Sequence, residues 1–477
     1  MSKEKQEIYS YKRINHWDRI ARDQSKKWKA GGGYHQRLAE FYRFLIPQGS
    51  TVLELGCGTG DMLSTLKPSY GIGVDFSKEM ITQAKSRHPE LTFIHADVHD
   101  LRINYKFDFI ILSDLINDLW NVQKVFHKIK LLCHSKTRIV INSYSRVWSP
   151  VLSFGSLTGF SKPNLPQNWF SPDDIYNLLY LEGFEHLRTW HEILFPLQIP
   201  LIDSFFNKFL VKIFPFYFFA LTNVIMARLY PELPVRKKPP RVSVIVPARN
   251  EAGNIAEIFS RVPEMGAETE LVFVEGHSKD NTFAEIESRI SNNPDRKARL
   301  FRQAGSGKGD AVRTGFENAR GDILMILDAD LTVAPEDLPA FYDALLGGKG
   351  DFINGVRLVY PMESEAMRPL NMIGNKTFSL IFRWALGQPV KDTLCGTKVL
   401  WKEDYKRIAA NRAYFGDFDP FGDYDLLLGA DKMGLKIVDL PIRYHDRVYG
   451  TTNIQRWKHG WMLFKMVFFA MGKIKFV

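Results

Sequence analysis

Cysteine is scarce in this sequence, long apolar runs are missing, and no segment repeats another. The three cysteines, Cys57, Cys133 and Cys395, are far apart and odd in number. That excludes a disulfide framework and the paired spacing of a zinc site, and it fits a reducing compartment. Residues Met1 to Ser10 are polar and charged and hold no apolar signal core. No stretch reaches the ~20 apolar residues that a spanning helix needs. The nearest, Ile213 to Ala227, is interrupted by Pro215 and Asn223 and stops at Arg228. The expectation is a cytoplasmic chain without a spanning segment.

What is present is 477 residues, 45% hydrophobic and 24% charged, a length that one core seldom supports and a composition ordinary for globular domains. The formal net charge of +10 calls for an anionic partner such as a nucleotide or a phospholipid headgroup. No nucleic-acid partner is expected, because no reading motif accompanies the charge.

Residues 1–48 read as polar and helical, with Trp17 and Trp28 as anchors and Gly31-Gly32-Gly33 as a break. From Thr51 to Tyr230, short β-type runs alternate with helical stretches, which predicts a parallel sheet of βαβ units. Residues 231–241 hold four prolines among basic residues and read as a stiff linker. A second alternation begins at Val242. The domains are therefore placed at 1–230 (core about 35–230) and 242–456, with a basic amphipathic tail at 457–477.

In the first domain, Glu54-Leu55-Gly56-Cys57-Gly58-Thr59-Gly60 follows a strand and precedes a helix. Gly56, Gly58 and Gly60 let the backbone turn tightly and approach a ligand with no Cβ in the way. Asp75 ends the next strand, where a carboxylate can accept ribose hydroxyls, and Asp97 ends the one after, on the adenine side. Together with Phe107-Asp108-Phe109-Ile110-Ile111-Leu112-Ser113, these residues resemble the class I methyltransferases. The resemblance implies a Rossmann-like fold and an S-adenosylmethionine site made by Glu54, Gly56, Gly58, Gly60, Asp75 and Asp97. Methyl transfer is a displacement at a sulfonium that positioning can drive, so no base is assigned. His35, Asp114, Asn117, Asp118, Asn142 and Tyr144 are candidates for the acceptor side. An alternative is a domain that binds the nucleoside without turnover and only positions or regulates its neighbour.

In the second domain, the apolar run Ile323 to Leu327 ends in Asp328-Ala329-Asp330. A carboxylate pair of this kind suits Mg²⁺ or Mn²⁺ with diphosphate oxygens. Val246-Pro247-Ala248-Arg249-Asn250-Glu251 closes the first strand, and Glu275-Gly276-His277-Ser278-Lys279-Asp280-Asn281-Thr282 follows the second. With the aspartate pair they resemble the family 2 glycosyltransferases of GT-A fold, a nucleotide-diphospho-sugar transferase fold. The likeness implies contacts to a nucleotide-sugar donor from Pro247, Arg249, Glu251, Glu275 and Asp328, and a metal held by Asp328 and Asp330. Glu275 stands where that family more often has aspartate.

Gly305-Ser306-Gly307-Lys308-Gly309 fails the spacing of a P-loop, since Gly309 replaces the Ser or Thr. Lys308 is read as a phosphate or sugar contact or as a solvated loop lysine. Asp392 to Lys398 and Pro441 to Asn453 resemble the dolichyl- and polyprenyl-phosphate sugar synthases, which places Arg447 beside a phosphate. Asn453 stands where that branch has lysine. Gln455-Arg456-Trp457 is similar to an acceptor motif of processive synthases but is two residues short, and no pore-forming helices follow. Between these motifs, Phe415 to Asp425 is acidic and aromatic. Asp423 or Asp425 can serve as the base that an inverting transfer to a hydroxyl needs, or these acids cap the next helix. The acceptor implied is lipid-linked or glycan.

Two segments are aromatic and amphipathic. Leu201, Ile202, Phe205, Phe206, Phe209, Leu210 and Ile213 form a helix stripe with Asp203, Lys208 and Lys212 off it, and the tail from Trp457 mixes aromatics with lysines. Either they lie in an anionic bilayer surface at the inner face of the cell membrane, or they pack on the domains.

Overall fold

A computed structural model describes residues 3–23, 31–158, 165–231, 238–357, 359, 369–415, 422–447, 449 and 456–477. Trp28, most of the linker (232–237), residues 416–421 of the acidic loop and 450–455 lie outside them. The chain divides into two compact units, residues 1–230 with the last two residues, and residues 231–475.

The first unit is built on β1 (Thr51–Leu55), β2 (Tyr70–Asp75), β3 (Thr92–His95), β4 (Phe107–Ser113), β5 (Cys133–Tyr144), β6 (Phe184–Glu192) and β7 (Thr222–Leu229). They form one sheet in the order β3-β2-β1-β4-β5-β7-β6. Its central strands are mostly buried apolar runs, as in Phe109 to Leu112, the pattern of strands covered on both faces. Leu53, Ile110, Ile139, Phe126 and Phe184 are fully or almost fully enclosed, each removal from water contributing ~1.5–3 kcal/mol. The expected all-parallel sheet is corrected at one strand, since β7 runs antiparallel to both β5 and β6. A return strand of that kind follows no βα crossover, so alternation alone did not show it.

Two further expectations change. The glycine triplet is no break, because a helix spans Gly31–Leu45. A Cβ on Gly33 would lie 2.7 Å from the Pro196 carbonyl, so the glycines let this helix lie against residues 196–198. The Leu201–Ile213 stripe is not one regular helix but a short turn, a π-turn (Phe205–Phe209) and a 3₁₀ turn (Leu210–Lys212). Its polarity is reversed: Asn207 and Lys212 are buried, whereas Leu201, Phe205, Phe209 and Ile213 are exposed.

The second unit carries β8 (Val242–Ala248), β9 (Thr269–Glu275), β10 (Ala298–Arg302), β11 (Ile323–Ile326), β12 (Phe352–Val356), β13 (Lys398–Trp401) and β14 (Ile437–Pro441). Their order is β10-β9-β8-β11-β13-β12-β14. β13 is antiparallel to its neighbours β11 and β12, which makes this sheet mixed too. Val244, Phe273, Met325, Phe341 and Val399 lie in its core. The helix Arg456–Ala470 buries Met466, Val467 and Ala470 and leaves Trp461, Phe464 and Phe468 outside. Among the described residues no helix is long and apolar enough to cross a membrane.

Candidate functional sites

In the first unit the glycine turn leaves β1 and enters the helix Asp61–Thr65. Gly56 and Gly60 have positive φ and are closed in by Leu115 and Phe93, while a Cβ on Gly58 would meet nothing within 4 Å. Gly58 is thus the open floor of the turn. Its N–H donates to Asp75 Oδ2 at 2.9 Å, and the Ser77 N–H donates to Oδ1 at 2.8 Å. Each oxygen of Asp75 keeps one lone pair for a hydroxyl donor. Burial raises the pKa of Asp75, partly offset by those two amides.

Glu54 is the unusual member. It is 2% exposed, and its Oε2 has no hydrogen-bond partner. Burial pushes its pKa to about 8 against an amide bond from Leu63. A buried carboxyl oxygen without a partner is rare enough to need an explanation. Asp97 is held by the backbone N–H and the ring Nδ1 of His99, at 2.9 and 2.6 Å. Burial opposes ionisation there, and His99 outweighs it, so the carboxyl lies below its usual range.

The acceptor-side candidates separate. Asp114, with φ +53°, Asn142 and Tyr144 come together with Tyr34: the Tyr34 hydroxyl donates to Asp114 at 2.7 Å and Asn142 Nδ2 donates to the same oxygen at 2.5 Å. Asn117 instead bonds the Asn168 carbonyl, Asp118 pairs with Arg13 at 3.6 Å, and His35 is exposed. Tyr34 is the member that sequence reasoning missed; it was one tyrosine next to a glycine run.

In the second unit, three strand ends converge. Non-glycine residues with positive φ follow each of them, Asn250 after β8, His277 after β9 and Leu331 after β11. Such backbone is costly and concentrates at functional edges. Asp328 meets Lys308 Nζ at 2.6 Å, while Arg447 bridges Asp330 at 2.5 Å and Glu251 at 2.8 Å. Burial favours protonation of Asp328, but Lys308, ahead of Lys398 and Arg357, holds its carboxyl below the usual range. Lys308 is opposed by burial and raised by Asp328 and Asp423 beyond the ordinary lysine range. Burial lifts Glu251 to about 7, against the attraction of Arg447. Glu275 accepts the Ser278 N–H, Pro247 is half-buried on β8, and Arg249 is exposed at its end.

The two candidate bases part company. Asp423 opens the helix Asp423–Lys432 and pairs with Lys398 Nζ at 2.8 Å, close enough to Lys308 to act on its charge. Asp425 turns to Arg412 at 2.9 Å. The N-cap is Gly422, with no side-chain cap bond. Lys398 is fully enclosed, and Arg357 grips the fully buried Asp392 through Nε and Nη2 at 2.8 and 3.0 Å. Sequence reasoning missed these two cations. The motif Asp392 to Lys398 contained one of them, whereas nothing marked Arg357. Among the described residues no group of three or more His, Cys, Asp or Glu side chains is arranged for a metal.

Two family models match the chain, one described as Methyltransferase domain over residues 46–190 and one as Glycosyl transferase family 2 over residues 243–408. The chain therefore carries a methyltransferase domain followed by a family 2 glycosyltransferase domain. Several curated relatives are named as sugar transferases. Glycosyltransferase AglJ of Haloferax volcanii is 29% identical over 228 residues, 47% of this chain and 70% of that protein. The dolichol-phosphate mannosyltransferase of Pyrococcus furiosus is 29% identical over 221 residues, and the match covers 45% of this chain and 59% of that one. The polyprenol monophosphomannose synthase of Mycolicibacterium smegmatis is 28% identical, with 45% and 81% covered. Among solved structures, magnesium protoporphyrin IX methyltransferase of Synechocystis with bound S-adenosylhomocysteine matches at 16% identity and TM-score 0.33, over 47% of this chain and 97% of that one. Glucosyl-3-phosphoglycerate synthase of Mycobacterium tuberculosis with Mn²⁺ and UDP matches at 20% and 0.37, over 49% and 80%.

Proposed function

We propose that this is a bifunctional enzyme whose first domain transfers a methyl group from S-adenosylmethionine and whose second transfers a sugar from a nucleotide-sugar to a lipid-linked acceptor. The observation that carries the second activity is the convergence of Asp328, Asp330, Glu251, Lys308 and Arg447 at adjoining strand ends.

In the first domain, Glu54 Oε2 suits the methionine ammonium, Asp75 the ribose hydroxyls and Asp97 the adenine side. These three would hold S-adenosylmethionine, which when bound would supply a methyl group to an acceptor nucleophile. The Tyr34–Asp114–Asn142–Tyr144 group orients that nucleophile.

In the second domain, two carboxylates without a protein cage fit a hard divalent ion, which takes one or two carboxylates and completes its shell with phosphate oxygens. Asp328 and Asp330 would hold Mg²⁺ or Mn²⁺, which when bound neutralises charge on the departing diphosphate. Lys308 and Arg447 contact the phosphates, and Pro247, Arg249 and Glu275 hold the nucleoside. The acceptor oxygen attacks the anomeric carbon as the bond to the diphosphate breaks, with inversion. Asp423, fixed by Lys398, takes the proton of a hydroxyl acceptor; a phosphate acceptor brings no proton to remove. The relatives named for dolichol- and polyprenol-phosphate sugars support the lipid phosphate. The outward Trp461, Phe464 and Phe468 beside Lys465 and Lys473 support peripheral contact with an anionic membrane at the inner face of the cell. The test is transfer of labelled sugar from a panel of nucleotide-sugars to polyprenyl phosphate in detergent with Mn²⁺. Label in the lipid phase supports the reading; label in none of the pairs overturns the acceptor.

A further inference from the structure

The reversed segment of the first unit is held in place by its polar residues. Asn207 Oδ1 accepts the N–H groups of Leu194 and Phe195, both at 2.8 Å, and its Nδ2 donates to the Phe195 carbonyl at 2.7 Å. Lys212 reaches inward to Glu192 and to the His191 carbonyl, and Val211 is fully enclosed. With the polar side chains turned in, the apolar ones are fixed outward: Phe205, Phe209, Phe214, Phe218 and Phe219 are 54, 45, 71, 56 and 53% exposed.

A second apolar element adjoins it. Trp148 Nε1 donates to the Phe219 carbonyl at 2.7 Å and Ser145 N to the Leu221 carbonyl at 2.8 Å, which ties the helix Ser149–Leu157 to this segment. That helix has no charged residue and buries none of its side chains, and Val151, Phe154 and Leu157 are 55, 68 and 87% exposed. Lys212 is turned in to Glu192, so the charges these segments leave toward the surface are Arg146 and Lys208, with the half-buried Asp203 at the near end of the stripe. Exposed aromatics of this density mark an interaction surface, and one flanked by Arg146 and Lys208 complements an anionic lipid surface.

We propose that this rim of the methyltransferase domain, the helix Ser149–Leu157 with residues 205–219, seats the protein in an anionic bilayer. The seating does not rest on the lipid-linked acceptor proposed above. The rim inserts Phe154, Phe214 and Phe218 among the acyl chains near the headgroups, while Arg146 and Lys208 lie at lipid phosphates.

The experiment is flotation of the full-length protein with vesicles of phosphatidylcholine alone or with phosphatidylglycerol. Wild type is compared with a triple Phe154→Ser, Phe214→Ser, Phe218→Ser variant, a matching triple Phe→Leu variant and Trp461→Ser. The prediction is binding to the anionic vesicles, lost on the order of 100-fold in the triple serine variant and retained with leucine, whose side chain is also apolar. Sugar transfer in detergent is unchanged in every rim variant, so its failure would strike the acceptor reading and not the rim. Equal flotation of wild type and the triple serine variant overturns the proposal. So does loss of binding only with Trp461→Ser, or a wild type that ignores vesicles. A dimer in sedimentation that the serine variant dissolves would assign the rim to a second copy of the chain and also overturn it.

Discussion

Glu54→Gln separates what the cofactor pocket needs from what the fold tolerates. Folded Glu54 keeps its proton up to about pH 8, whereas an unfolded glutamate releases it near 4.5. The folded state therefore binds more protons across that window, and stability falls as pH rises through it. The gap between 4.5 and about 8, at ~1.4 kcal/mol per pH unit, places the full penalty at ~5 kcal/mol above pH 8. Glutamine removes the ionisation and keeps the shape. Urea unfolding of the methyltransferase domain should show the variant matching wild type at about pH 4, below the unfolded value, and exceeding it at about pH 9, by up to that amount. Binding moves the opposite way. An ionised Glu54 facing the ligand ammonium makes a charge-assisted bond worth ~1.5–3 kcal/mol, so the variant should bind S-adenosylmethionine roughly 10- to 150-fold more weakly. Calorimetry should also find wild type releasing a proton on binding at pH 7 and the variant none. A variant that binds as tightly as wild type with the same pH profile would refute the reasoning.

Gly396→Ala should impair sugar transfer by at least about ten-fold while the unfolding midpoint barely moves. Its Cβ would overlap the Asp328 carboxylate and the Lys308 ammonium, which can shift at little cost to the core; kinetics and denaturation on one preparation check this. Lys398→Met leaves Asp423 buried without its partner, which should destabilise the second domain by ~3–5 kcal/mol. The double variant with Asp423→Asn should recover part of that loss in urea unfolding, and equal midpoints for single and double variants would count against a buried pair. Asp423→Asn alone should lower kcat with a hydroxyl acceptor and leave transfer to a phosphate acceptor unchanged.

Much of the fold was legible because parallel strands buried on both faces read as apolar runs, as in Phe109 to Leu112 and Ile323 to Leu327. The glycine turn and the aspartate pair stood out because each is a short run of marked residue types at a strand end. The antiparallel β7 was not legible, since pairing direction leaves no mark on composition. Nor were the contacts of Tyr34, Arg357 and Lys398, whose partners lie 80, 35 and 25 positions away. The reversed polarity of residues 201–213 escaped because a hydrophobic stripe fixes a period, not which side faces the core. That decision belongs to Asn207 and Lys212, whose partners Phe195 and Glu192 lie in another element.

The central claim, a metal-assisted sugar transferase joined to a cofactor-binding methyltransferase, meets its most direct test in nucleotide-sugar turnover by full-length wild type and Asp330→Ala. Turnover is read across a panel of nucleotide-sugars with Mn²⁺ or Mg²⁺ and with chelator. The account predicts turnover of at least one donor, abolished by chelation and lowered at least about 100-fold by the substitution, with S-adenosylmethionine binding unchanged. Equal turnover in both proteins, or turnover indifferent to chelator, would contradict it.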